Sequence, residues 1–190
     1  YLFLLKKGVT SISVSPSRLP LNGSETGGAE VFYFKDPDGH LIQLISFPPG
    51  HGESRWQTDF GQLFLGIDHS AIKVKSTQKS LEFYHFLLGF NVSDTHFYHG
   101  WQEEKLSQIK NPKIQGTLLQ SSFGPKLELL QYIEPISGKR VPTNTKPNDV
   151  WSTFTQLSTV DIEHTYLKMI EARVFLISSS PVSIPNSSYK

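Results

Sequence analysis

Gly66-Ile67-Asp68-His69-Ser70-Ala71-Ile72-Lys73-Val74 is the stretch whose reading decides the fold. Residues 65–74 have the apolar, β-branched character of a strand, with a single imidazole at His69. Ser76 or Thr77 can cap a helix that follows. In it Leu81, Tyr84 and Leu88 recur at i, i+3 and i+7 and so share one face. Gly89 stands where a left-handed cap would end that helix. Further strands are expected at 90–94, 116–121 and 126–133, which gives the order βαβββ.

Upstream lies Asp36-Pro37-Asp38-Gly39-His40-Leu41-Ile42-Gln43-Leu44, a tight polar turn feeding an apolar strand with one amide in it. Proline fixes φ at the second turn position and Asp-Gly suits the entry to a strand, so the turn's role is structural. His40 is expected at the rim, exposed. Residues 1–50 read as the rear of a βαβββ unit: a helix end over 1–7 stopped by Gly8, then strands at 9–14, 29–34 and 41–47. Pro48-Pro49 cannot continue a ladder and opens a linker over 51–62. Downstream, residues 153–159 read as a strand and Asp161 as the N-cap of a helix striped by Ile162, Tyr166, Met169 and Ile170. Another strand is expected at 174–177, before a Ser/Pro-rich segment over 178–188.

These parts repeat. Residues 39–45 align without gaps on 124–130, and the same offset of about 85 residues carries His69 onto Phe154. The expected organisation is therefore the rear of one module (1–50), a linker (51–62), a complete module (63–135), a linker (136–149) and the front of a further module (150–190). Such a chain reads as a piece of a longer, roughly four-module protein. Its open sheet edges would be covered by pairing 1–50 with 150–190, or by strand exchange in a homodimer.

Composition narrows the chemistry. Hydrophobic residues at 37% and aromatics at 12% are those of a folded globular chain, and a net charge of +1 gives no electrostatic preference for nucleic acid or acidic membranes. No apolar run approaches the roughly 20 residues that span a bilayer, and cytoplasm is the expected compartment. With no cysteine, any metal must be held by oxygen and imidazole nitrogen.

In this order the two quoted stretches resemble the vicinal-oxygen-chelate superfamily, which includes glyoxalase I, extradiol dioxygenases, methylmalonyl-CoA epimerase and the fosfomycin and bleomycin resistance proteins. The resemblance implies an α+β fold: βαβββ modules forming a curved, partly open mixed sheet around a cleft, with helices outside. It also implies a divalent ion (Fe, Mn, Zn, Ni or Mg) held by first-strand His and last-strand Glu positions. Those positions fall here on His69 and Glu128 in the central module, on Gln43 in the earlier one and on Phe154 in the later one. Gln43 brings an amide in place of a carboxylate and Phe154 cannot bind, although Gln156 lies on the same strand face. An ordinary salt bridge from Glu128 to Lys73 or Lys126 is the structural alternative to a metal. His96 and His99, three apart on a strand, point to opposite faces and make no metal pair.

The function so implied is metal-dependent handling of a small substrate with two neighbouring oxygens. Lyase or isomerase chemistry is favoured over ring-cleaving dioxygenase chemistry, which wants two His and one carboxylate, and Glu128 is the candidate catalytic residue. A non-catalytic, small-molecule-binding module of the bleomycin-resistance type is the other reading.

Overall fold

The computed structural model describes residues 1–21, 24–58, 61–136, 138–152 and 154–183. Among the described residues the strands form two open four-stranded sheets, and the fold is mixed α+β. Among these residues no helix is long and apolar enough to cross a membrane.

The central sheet is built as the sequence suggests. Strand β5 (His69–Lys73) is followed by α2 (Thr77–Leu81), which continues as a π-helical stretch over Glu82–Leu87. Ser76 caps it by accepting from the Lys79 amide at 3.3 Å, and Gly89 ends it at φ +77°, a conformation that a side chain would strain. Strands β6 (Asn91–His99), β7 (Lys113–Gln120) and β8 (Lys126–Glu134) complete the sheet in the order β5-β8-β7-β6. The β5–β8 pairing is parallel and the other two are antiparallel. Leu119, Leu127 and Leu129 are buried with Phe90 on one face, where Leu81, Tyr84 and Leu88 of the helix pack. The other face is left for the site.

Residues 1–50 form the second sheet. Helix α1 (Leu2–Lys6) stops before Gly8, at φ +75°. Strand β3 (Glu30–Lys35) pairs along one edge with β4 (Leu41–Ser46). Its other edge is shared by two short strands, β1 (Thr10–Ser11) and β2 (Ser17–Arg18). The expected strand over 9–14 is cut short because Ser13 turns inward: its hydroxyl donates to the Leu106 carbonyl at 3.0 Å and accepts from the Tyr33 amide at 2.9 Å. Phe32 and Phe34 bury against Leu4 on one face, and Val31 and Tyr33 look the other way, towards Leu106 and Tyr98. Leu106 belongs to α3 (Gly100–Ser107), a helix that the sequence reading did not anticipate and that packs between the two sheets' edges.

The C-terminal part departs from expectation. Helix α4 (Ile162–Glu171) is present, and Asp161 caps it by accepting from the His164 amide at 2.9 Å. The expected strands at 153–159 and 174–177 are not strands in their described residues; Thr153, and the end of the Ser/Pro-rich segment from 184 on, lie outside those residues. A strand needs a neighbour to take its backbone groups, and no described residue after Glu134 joins either sheet. Rebuilding a composite module from the two ends is therefore not what the described residues do. A contact between them among the described residues is His40, whose Nε2 lies 2.7 Å from the Val150 carbonyl oxygen and whose Nδ1 lies 2.8 Å from Asp36.

Candidate functional site

Strand alternation and register decide which side chains meet on the free face of the central sheet. His69 is in register with Lys126, and Ala71 with Glu128, so His69 and Glu128 project to the same side. Glu128 also stands opposite Leu118, and Gly116 opposite His96. The register of β6 shifts between Val92 and Asp94, and this bulge turns Asp94, His96 and Tyr98 onto the same face as Glu128.

The result is a buried cluster centred on Glu128. His69 Nε2 lies 3.4 Å from Glu128 Oε2, and His96 Nε2 lies 3.2 Å from Oε1. The Tyr98 hydroxyl donates to Oε1 at 2.9 Å. Each imidazole has a carboxylate behind it: Asp68 Oδ2 is 2.8 Å from His69 Nδ1, and Asp94 Oδ2 is 3.3 Å from His96 Nδ1. Asp68 is in turn held by the Trp56 indole N–H at 2.6 Å. Gly116 makes room for the cluster. A Cβ there would lie 2.5 Å from Glu128 Oε1 and 2.6 Å from His96 Nε2.

Burial by itself would push His69 towards neutrality. Its hydrogen bonds and attraction to Asp68 and Glu128 outweigh burial and raise its pKa to about 9. Burial by itself would likewise raise Glu128, but His69 and His96 hold it down at about 2. At neutral pH the centre is thus an imidazolium beside a carboxylate. His96 is different: it is buried, and neither ring nitrogen makes an aligned hydrogen bond.

A second buried carboxyl sits nearby. Glu103, in the first turn of α3, is raised to about 7 by burial, with the Ser107 hydroxyl opposing the shift and the charge of Glu128 adding to it. Tyr33, Tyr98 and Tyr132 are all raised, first by burial and then by Glu103 and Glu128 among their charged neighbours.

These shifts set a pH dependence of stability. His69's raised pKa contributes stability that is full below 6.5 and lost as pH rises through about 9. Glu128's depressed pKa contributes stability present above 4.5 and lost as pH falls through about 2. Both describe one ion pair, of order 3 kcal/mol, counted once. Glu103's raised pKa takes stability away as pH rises from 4.5 through about 7. Urea denaturation is expected to show a maximum near pH 5 and a decline through pH 7 to 9. A flat profile across that range would contradict the buried pair.

The other positions implied by the resemblance are placed as follows. Gln43 pairs with Tyr33 across β3 and β4, so it shares the face that Tyr33 turns towards the central sheet. No described hydrogen bond joins it to Glu128. Phe154 is 88% exposed and in no strand, and Gln156 is exposed beside it. Lys73 does not pair with Glu128; Lys126 pairs instead with Glu25, and lies 3.9 Å from Glu53. The Glu25 amide donates to Asp94 Oδ2 at 3.2 Å, which ties the N-terminal segment across the cluster's edge.

The chemistry of the donors fits a borderline divalent ion. Two imidazoles and a carboxylate suit it, His96 has unused donor capacity, and a carboxylate behind a ligating imidazole is the usual outer shell of such a site. Two atoms 3.2–3.4 Å apart can both lie ~2.1 Å from one ion. The arrangement is not a finished set, because Glu128 presents a different oxygen to each imidazole. Among the described residues no group of three or more His, Asp or Glu side chains is disposed to hold a metal.

No family model matches the chain, and no curated protein matches it. Among solved structures it is similar to a glyoxalase family protein from Bacillus cereus, at 15% identity and a TM-score of 0.46, over 60% of this chain and 76% of that one. It is also similar to glyoxalase I from Zea mays, at 17% identity and a TM-score of 0.41, over 69% of this chain. It spans 37% of the maize chain.

Proposed function

We propose that the chain is a vicinal-oxygen-chelate-type protein that holds a small molecule with two neighbouring oxygens at His69 and Glu128. The observation that supports this is the relay Asp68–His69–Glu128–His96–Asp94 on the free face of a βαβββ sheet. His69 and Glu128 would hold a divalent ion once their side chains close on it, with Gln43 of β4 as a candidate neutral oxygen donor. When bound, such an ion supplies Lewis acidity for polarising a substrate oxygen. Around it the chain's own groups orient and exclude water: Tyr98 fixes Glu128, and Trp56 with Asp68 fixes the His69 ring. Lyase, isomerase or ring-cleaving chemistry on such a substrate fits two imidazoles and one carboxylate, with Glu128 in the catalytic role. Module boundaries at 1–50, 63–135 and 150–190 and a homodimer belong to the same proposal. A metal-free binding module is the second reading, favoured by the tyrosine-lined junction and the unfinished ligand set.

Calorimetric titration with Ni²⁺ or Zn²⁺ at pH 7.5 separates the two. Because His69 carries a proton at that pH, metal uptake should release about one proton, read from the dependence of the heat on buffer ionisation. Affinity should rise towards pH 9, and His69→Ala should abolish binding. Uptake that is indifferent to His69→Ala, or no uptake at any pH, would leave the binding-module reading.

A further inference from the structure

The Glu128 cluster is closed. The side chains of His69, His96 and Glu128 are 10%, 6% and 4% exposed, so a ligand reaches them only after something moves. Residues 24–28, which precede β3, lie against the cluster's edge and are tied there through Glu25. The Glu25 carboxylate takes the ammonium of Lys126, itself buried, and the Glu25 amide donates to Asp94 Oδ2 at 3.2 Å. Backbone bonds inside the segment are short-range: the Gly27 amide donates to the Ser24 carbonyl, and the Ala29 amide to that of Thr26. The segment is a pair of turns outside both ladders, so it can lift without breaking a strand pairing.

Both groups that Glu25 holds have another partner in place. Lys126 Nζ lies 3.9 Å from Glu53, which follows β4 and is itself held by Arg55 at 2.8 Å. A buried ammonium left alone would be costly, and Glu53 offers it a second seat. Asp94 Oδ2, the oxygen that accepts from the Glu25 amide, is also the one 3.3 Å from His96 Nδ1. His96 is buried with neither ring nitrogen in an aligned hydrogen bond, which is a costly state. Withdrawal of the Glu25 amide would free Asp94 to accept from the His96 Nδ1–H. That bond fixes the tautomer and leaves the Nε2 lone pair for a ligand.

We propose that residues 24–28 are a lid over the Glu128 cluster, with Glu25 as its latch and as a positioning residue for His96. Lifting the lid passes Lys126 from Glu25 to Glu53, and Asp94 from the Glu25 amide to His96. Opening the site and orienting the second imidazole are then one event. That the opening admits a divalent ion or a small molecule rests on the small-molecule reading of the site; the lid itself does not.

Amide hydrogen exchange on the full chain reads the lid without any ligand. Glu25→Gln keeps the backbone amide but gives up the charge on Lys126. Exchange at residue 25 should quicken by at least about tenfold, with the amides of Leu119 and Leu129 unchanged. Glu53→Gln removes the second seat and should slow exchange at residue 25, the opposite sign. The nitrogen NMR resonances of the His96 ring should show more of the Nδ1–H form in Glu25→Gln than in the wild type. Zn²⁺ uptake at pH 7.5, timed with a chromophoric zinc indicator, should follow the same order, fastest in Glu25→Gln and slowest in Glu53→Gln. Exchange at residue 25 that is equal in the three proteins, or quickened by both substitutions, would overturn the lid. Exchange in the expected order, with Zn²⁺ uptake that does not follow it, would overturn its role in entry. No Zn²⁺ uptake by any of the three would remove the metal reading alone, and the exchange order with the His96 resonances would still decide the lid.

Discussion

Glu128→Gln is expected to destabilise the protein by about 3 kcal/mol or more at pH 6, because removing one partner of a buried pair leaves the other charge unpaired. The side chain keeps its shape, so the loss reports charge and not a cavity. An amide oxygen at 128 can still accept from Tyr98, at the position where the hydroxyl now lies 2.9 Å from Oε1. What disappears is the negative charge between His69 and His96. The pKa of His69 should fall from about 9, since two of the influences that raise it come from Glu128 and only those of Asp68 remain. The cost should also shrink above pH 9. There His69 is neutral, and the wild type itself carries a buried carboxylate without its main cation. Urea denaturation at pH 6 and pH 9.5, with NMR titration of the His69 ring, measures all three effects. Equal costs at both pH values would show that the pair is not what stabilises the centre.

Gly116→Ala is the second large effect. In a strand interior alanine is ordinarily the better residue, by a fraction of a kcal/mol to about 1. Here the added carbon would sit 2.5 Å from Glu128 Oε1, 2.6 Å from His96 Nε2 and 3.0 Å from a Tyr98 ring carbon. All three belong to buried or half-buried groups packed on one another, so something in the cluster must move. Overpacking of this kind costs about 1–3 kcal/mol. The ends of side chains are easier to displace than strands, so the damage should concentrate on the His96–Glu128 contact. The expected result is a loss of stability of that order together with a lower His69 pKa. A stabilised variant with an unchanged His69 titration would mean that the Glu128 cluster has room to spare.

The two substitutions touch different kinds of information. Much of the fold was legible in local sequence because its signals are local. The apolar spacing of Leu81, Tyr84 and Leu88, the left-handed Gly89 and the capping Asp161 each work through neighbours within a turn or two. His69 and Glu128 lie on the first and last strands of one module, and the structure sets them on one face, 3.4 Å apart.

What local sequence could not show was decided by distant pairing. His96 faces the site only because the bulge between Val92 and Asp94 shifts the alternation of β6, and a period of two carries no sign of where a ladder slips by one residue. Glu103 lies on a short helix without an apolar stripe, and it is buried only because the N-terminal sheet closes against Leu106. Phe154 has strand-like neighbours in the sequence, yet it pairs with nothing and stands exposed. Residue order and period therefore determined the βαβββ module, while the His69–Glu128 pair was reached through the family resemblance. The second imidazole, the second carboxyl and the fate of the C-terminal segment were left to tertiary structure, because burial and hydrogen-bond partners for those groups come from residues far along the chain.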